Sequence, residues 1–490
     1  MKIDKGKILI LLGFLFTLYL RVNLIENKNM WFDEIYSWNT SLYDIAGIIK
    51  AAAGDIHPPL FYIVLKGWTA IFSDSVFAMR SLSVFFSILS LVFIYRISKD
   101  ILKDDVKVFA IIILYALSPV NIHYAQEVRM FMMNTFLCLG SVYYFMILLQ
   151  NRSKRASTLF ILFSVFAIYT HYFAFLVILT EGLIVLYRQI RAKSDFTLLK
   201  TFTPLFIIIL LSYIPWFSEF FGQVSKGQSW RTPQDFSSLT LNTFAFFREI
   251  FFSYFIYYKT APIYHISNYV TLSLVIIYCI LFVITIKRKE LIGDTAVVTA
   301  FFAIPMIIAV IISYKNSLLL SRYISIIIPF FIMSYVIFAL SLKNKKISYT
   351  IITFFILVSA IGTKFEYEMD FKNNDYRQII QYLEKNYHDG DYVVVEPHYM
   401  GWSIKYLNKR AETNLPAPII IDYSLKGIVD SLNNNKSIEN LWLVLDYSSL
   451  GRDGYDDIVS SMNAISYDMK KEETFVVIPE KVMIYYFARR

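Results

Sequence analysis

Long apolar runs, separated by short polar connections, fill the first three quarters of the chain. They lie near residues 7–22, 76–95, 107–123, 130–149, 157–171, 172–189, 201–217, 267–286, 294–313, 319–341 and 347–363. A helix that crosses a bilayer needs about 17–25 mostly apolar residues, so the pattern predicts about eleven crossings. The run at 157–171, the first of the pair around His171, is the shortest. Pro119, Pro215, Pro305 and Pro329 fall in or near these runs, where neighbouring helices tolerate them. After about residue 364 the pattern changes. DYVVVEP, APIIID, LWLVLD and TFVVIP read as strands, and 375–387, 399–409, 425–434 and 453–462 read as helices. Strands alternating with helices predict a small α/β domain. The expected organisation is a membrane domain over 1–363, with long outer loops at 22–75 and 218–266, followed by an α/β domain over 364–490.

Charge sets the orientation. Basic clusters occupy every second connection: Lys2, Lys5 and Lys7; Arg96, Lys99, Lys103 and Lys107; Arg152, Lys154 and Arg155; Arg188, Arg191 and Lys193; Lys287, Arg288 and Lys289; Lys343, Lys345 and Lys346. Cytoplasmic loops carry such an excess, so the N-terminus is expected inside and the α/β domain outside. The basic start, MKIDKGK before ILILLGFLFTLYL, lacks a small-residue cleavage site and reads as a retained first helix.

Composition agrees with a membrane solvent. Hydrophobic residues make up 57% of 490 and charged residues 17%, against about a quarter charged in soluble domains. The net charge of +9 is spread between apolar runs and forms no stripe, which argues against a nucleic-acid partner. Cys138 and Cys279 lie inside apolar runs and read as small core residues. The α/β region has no Gly-rich phosphate loop.

Candidate chemistry collects in the connections expected outside. The first outer loop contains WFDEIYSWNTSLYDIAGIIKAAAGDIHPPLFYIVLKGW, with adjacent Asp33 and Glu34 among Trp31, Phe32, Tyr36 and Trp38. Carboxylates among aromatics at a membrane surface are costly unless paired or used; the plain alternative is a helix N-cap. His57 precedes Pro58-Pro59 in an extended stretch. The second outer loop, SPVNIHYAQEVRMF, holds His123, Glu127 and Arg129. Arginine presents a planar fork suited to phosphate, and Arg322 with Tyr323 offers a second guanidinium at the same face. Snorkelling is the alternative for Arg322. His171, in YTHYF, falls on that side too. Four histidines there (His57, His123, His171 and His265) leave a metal as an alternative, but no H-E-x-x-H spacing appears, and no cofactor is expected. In the loop at 218–266, Trp230, Arg231, Phe246, Phe247 and Tyr254, with Trp216 before it, form a sugar-facing lid or an interfacial aromatic belt.

In their order and spacing these motifs resemble the GT-C membrane glycosyltransferases, in the branch with protein O-mannosyltransferases and lipid A aminoarabinose transferases. The matching elements are WFDE, DIHPPLFY, SPVNIHYAQEVRMF, and, more weakly, YTHYF and SRYISIIIP. The resemblance covers roughly residues 7–345 and implies a polyprenyl-phosphate sugar donor in the lipid bilayer. The acceptor hydroxyl would belong to a protein, lipid or glycan. It implies that Asp33 is the catalytic base or its essential partner, with Glu34 as the second acid. His57 stands where aminoarabinose transferases carry a lysine on the carrier phosphate, a departure, since a neutral imidazole holds an anion less strongly. Glu127 and Arg129 match the second-loop motif.

Two readings from other classes compete. A transporter or flippase of lipid-linked sugars would place polar or broken helices near the midplane, often in repeated halves; here charges sit at helix ends and no repeat is visible. A membrane scaffold would be indifferent to Asp33.

Overall fold

In the computed structural model the described residues are 4–192, 196–226, 234–253, 261–315, 319–368, 376–396, 400–410, 415, 429–430, 432–433, 438–446, 459–477 and 480–490. In chain order the helices are α1 Lys5–Val22, α2 Phe32–Ser41, α3 Ile45–Gly54, α4 Leu60–Phe72, α5 Val76–Leu102, α6 Asp105–Ala116 and α7 Pro119–Ala125. There follow α8 Phe131–Gln150, α9 Lys154–Ile168, α10 Ala174–Ala192, α11 Thr197–Ser212, α12 Phe217–Lys226, α13 Phe236–Phe251 and α14 Ala261–Lys287. The remaining helices are α15 Gly293–Ser313, α16 Ser321–Ile324, α17 Ile328–Ser341, α18 Lys345–Tyr367, α19 Arg377–Asn386 and α20 Met400–Lys409. Four strands complete the chain: β1 Tyr392–Glu396, β2 Asn440–Asp446, β3 Tyr467–Val477 and β4 Glu480–Arg489.

Helix stands at each of the eleven apolar runs. Among the described residues, seven helical segments are long and apolar enough to span a bilayer, or eight if the bent pair α6–α7 is one span. The chain divides into two compact units: Met1–Ile25 with Asp44–Met369, and Glu26–Tyr43 with Asp370–Arg490. The short helix α2, inside the first long loop, therefore belongs with the C-terminal residues.

In the membrane unit, α17 is buried along nearly its whole length, and α15, α14, α18 and α6 pack around it. Tyr278, Phe302, Phe331 and Tyr335 interlock there, with ring centroids 4.9–5.9 Å apart. One glycine fixes how closely the helices approach. A Cβ at Gly362 on α18 would run into the Phe251 carbonyl at the end of α13 and approach Pro119 of α7.

The helix broken at Leu117–Ser118 turns by 63° between α6 and α7. Its freed carbonyls need donors, because lipid offers none. Fully buried Arg21 supplies them, donating to Tyr115 O at 2.9 Å and Ala116 O at 2.8 Å. Thr363 donates to Leu117 O at 2.7 Å. Gln126 then ties the far end of α7 to the carbonyls of Arg21 and Asn23 at 3.1 and 2.7 Å.

In the C-terminal unit the sheet order is β1-β2-β4-β3, with β1 and β2 parallel and the other pairs antiparallel. Leu441, Leu443 and Leu445 of β2 join Val394, Tyr485 and Phe487 in the core. Trp442 and Val444, on the opposite face, are also buried, which explains why this central strand reads as an unbroken apolar run. DYVVVEP and LWLVLD are strands as read. TFVVIP is only the end of a longer strand, β3, and the reading missed β4 altogether. The predicted strand at 417–422 lies outside the described residues, as do most of the predicted helices at 425–434 and 453–462.

The basic clusters predict an orientation that exposed positions can test. In a variant lacking Cys138 and Cys279, single cysteines at Ser73 and His265 should react in intact cells with a membrane-impermeant thiol reagent. Those at Asn151 and Asn344 should react only after permeabilisation. The reverse pattern would invert the assignment.

Candidate active site

The acidic pair of the first loop opens α2, whose N-cap is Trp31, so Asp33 is the second helical residue and Glu34 the third. From the third position a Glu can reach back to the N-cap, and Glu34 Oε2 accepts from the Trp31 backbone N–H at 3.4 Å. Glu34 is fully buried, whereas Asp33 is partly exposed. The two neighbours, alike in sequence, thus differ in surroundings, and the capping bond falls to Glu34. Asp33 accepts from Ser37 Oγ at 3.0 Å through its main-chain carbonyl.

Within the membrane unit, a buried polar layer forms from loops far apart in sequence. His57, His171 and Tyr323 cluster, with ring centroids 5.3, 5.5 and 6.4 Å apart. The half-buried Arg322 guanidinium lies 5.2 Å from the Tyr323 ring centroid. Phe173 stacks on Tyr323 at 5.5 Å. The break between α9 and α10 presents His171, and its Nδ1 accepts the Phe173 backbone N–H at 3.2 Å. A neutral ring must then carry its proton on Nε2 and donate from that side.

Tyr124 and Phe131 link this cluster to a second one, with centroids 5.1 Å apart and Phe131 6.1 Å from His171. There His123 stands between two carboxylates. Its Nε2 is 3.1 Å from Glu127 Oε1, and its Nδ1 is 3.1 Å from Glu366 Oε1. Ser253 donates to Glu366 Oε2 at 2.7 Å, and Ser83 donates to the Glu127 carbonyl oxygen. Glu249, near the end of α13, accepts from Ser321, beside Arg322, and burial pushes its carboxyl up to about 7. Arg129 is buried in the turn after α7, where Ser83 also bonds its carbonyl at 3.4 Å.

The structure therefore brings His57, His171, Arg322 and Tyr323 together, and joins Glu127 to His123. The sequence reading missed Glu366, Glu249 and Ser253. Each is a charge or hydroxyl among mostly apolar residues, as are Arg21 and Arg80, which are also buried. In the lid expected at 218–266, Phe246 is buried, and so is Trp216 just before it, its indole donating to Tyr172 at 3.1 Å. Phe247 packs on Phe302 and Phe331. Trp216 and Phe246 are thus buried core residues, and Phe247, on α13, is half-buried. Trp230, Arg231 and Tyr254 lie outside the described residues. Among the described residues no three His, Cys, Asp or Glu side chains converge to hold a metal ion.

Comparison with known proteins finds likeness in sequence family and in fold. Residues 56–218 match the family model for dolichyl-phosphate-mannose-protein mannosyltransferase. The fold matches the crystal structure of ArnT from Cupriavidus metallidurans in the apo state with a TM-score of 0.56, at 11% identity over 98% of this chain and 97% of that one. The same protein bound to undecaprenyl phosphate matches with a TM-score of 0.59, at 11% identity over 97% of each chain. Comparison with curated proteins gave no match.

The His123 network has a measurable consequence. Removing one partner of a buried hydrogen bond leaves the other unsatisfied at a cost of about 1–3 kcal/mol, so Glu366→Ala should lower the Tm of the purified protein by several degrees. Glu366→Gln, which keeps the shape and can still bond Ser253, should lower it less. Equal Tm in both variants and the parent would remove the network from the fold's support.

Proposed function

Taking the chain as a GT-C superfamily membrane glycosyltransferase, which the family match and the whole-chain fold support, we propose that it moves a sugar from a polyprenyl phosphate to an acceptor hydroxyl on the outer face of the membrane. The observation that carries this reading is the fold likeness, over nearly the whole chain, to a protein crystallised with undecaprenyl phosphate. The cell membrane is the site of action, with the N-terminus cytoplasmic and the 364–490 domain outside.

The chemistry asks little of the protein. The acceptor O–H gives its proton to Asp33 as its oxygen attacks the anomeric carbon. The bond from that carbon to the phosphate oxygen breaks, and the electron pair leaves on the phosphate. One displacement inverts the anomeric configuration. Asp33 suits the base because it is partly exposed at the start of a helix, and hydrogen-bond reach to the hydroxyl is the first requirement. Glu34, buried and bonded to the N-cap, fixes the helix end that carries Asp33. Arg129, Arg322, His57 and the Nε2–H of His171 stabilise the departing phosphate electrostatically; Tyr323 holds the two imidazoles and the Arg322 guanidinium in place, and Glu127 with His123 sets the turn that carries Arg129. No cofactor or metal enters these steps.

Supplying membranes with a panel of labelled undecaprenyl-phosphate hexoses and pentoses, then identifying the molecule that gains label, tests the activity and names the acceptor. On that assay Asp33→Asn should lose about 10²–10⁴-fold in rate while still folding and binding donor, because an amide cannot take the hydroxyl proton. Near-normal turnover by Asp33→Asn would move the base elsewhere. Arg322→Ala should weaken binding of undecaprenyl phosphate roughly ten- to a hundredfold, the loss of one charge-assisted hydrogen bond of about 1.5–3 kcal/mol. Unchanged affinity would leave Arg322 a helix-end anchor.

A further inference from the structure

The acid-bearing helix α2 is ten residues long, and isolated helices shorter than about 12–15 residues are marginal in water. Its sequence, FDEIYSWNTS, is also poor in strong helix formers. It therefore depends on a partner, and the C-terminal unit provides one in α20.

Phe32 stacks on Trp402 with ring centroids 5.8 Å apart and planes 7° apart, and Tyr36, one turn later, meets the same ring at 5.3 Å. Trp38 meets the edge of Tyr406 at 5.1 Å, and the Lys409 ammonium lies 5.3 Å from the Trp38 ring centroid. Lys405 Nζ donates to Asn39 Oδ1 at 2.9 Å. On a helix of 3.6 residues per turn, Asp33 lies 100° from Phe32 and 60° from Tyr36. The two residues on Trp402 lie about 40° apart on one side of it, and any rotation of α2 that swings Asp33 away shifts both rings on Trp402 with it.

We infer that Trp402 and Lys405 are positioning residues for Asp33: α20 fixes the position and rotation of α2, and so the direction in which the Asp33 carboxylate is presented to the acceptor hydroxyl. The inference rests on the reading of Asp33 as the base. Neither residue touches the reacting atoms. They matter because displacing a reacting group by about 1 Å can lower a rate roughly a hundredfold. A domain at the far end of the chain thereby sets the working geometry of a residue near its beginning.

The test uses the full-length protein in detergent and two readouts. Hydrogen exchange of the amides of residues 32–41 should speed up about tenfold or more in Trp402→Ala, with the β2 amides as protected as in the parent. With labelled undecaprenyl-phosphate sugars, kcat should fall about ten- to a hundredfold while KM for the donor stays unchanged, and Trp402→Phe should restore most of the loss. Unchanged exchange at 32–41 overturns the clamp. Faster exchange with unchanged kcat overturns the positioning role, and Asp33→Asn then separates the causes. If that variant is inactive, only the clamp inference fails; if it is active, the base assignment fails with it. Should Trp402→Ala unfold the unit, Lys405→Ala, altered at an exposed position, should give the same pattern at smaller amplitude, and no change in either readout overturns the inference.

Discussion

A backbone that leaves its helical path within an apolar bundle must find new partners for the carbonyls it frees, and the structure around residues 115–130 is arranged by that requirement. Arg21 is the central donor. It comes from the end of α1, is fully buried, and bonds the last two carbonyls of α6. A guanidinium suits the task, since its planar fork reaches adjacent acceptors at once. The Thr363 hydroxyl covers the next carbonyl, and Tyr367, on the same helix α18, bonds Leu20 O beside Arg21. Three helices remote in sequence are thus joined through main-chain oxygens. Such bonds are insensitive to side-chain identity at the break itself but depend on each donor.

Once those carbonyls are satisfied, α7 is free to turn, and the turn does chemical work. It carries His123 and the residues after it out of the line of α6, so that Glu127 and Glu366, 239 positions apart in sequence, face opposite nitrogens of one imidazole. Gly362 lets α18 come close enough for this, because any side chain there would strike the end of α13. The same approach brings Ser253, just past α13, to Glu366. The polar layer is therefore a product of close helix packing.

Much of this was legible in the sequence, for reasons that differ from element to element. The spanning helices announce themselves because lipid demands length and apolarity at once. The central strand β2, buried on both faces, reads equally plainly. Only the second half of strand β3 was read, because its first half, YDMKKEE, is charged; the strand lies at the end of the sheet order, where charges guard against pairing with another chain. That α2 belongs with the C-terminal unit was not legible, because the aromatic contacts that join them span more than 360 residues. The convergence of His57, His171 and Tyr323 was anticipated only as a shared face. Glu366 and Glu249 drew no reading from the sequence, since burial at the meeting of several helices leaves no local mark.

Asp33 and Glu34 show how a helix terminus separates two like residues. Both sit in the first turn, where the helix dipole favours negative charge, so neither charge is disfavoured by the helix itself. Position decides the rest. The third helical residue can fold back to the N-cap amide, and a carboxylate held there gives up its freedom to meet a substrate; this is Glu34. The second residue is turned about 100° around the axis and remains partly open to solvent. A base must exchange its proton with something outside the fold, which a fully buried capping carboxylate is poorly placed to do. On that ground the proposed chemistry belongs to the more exposed of the two, and the buried one serves it by holding the first turn closed.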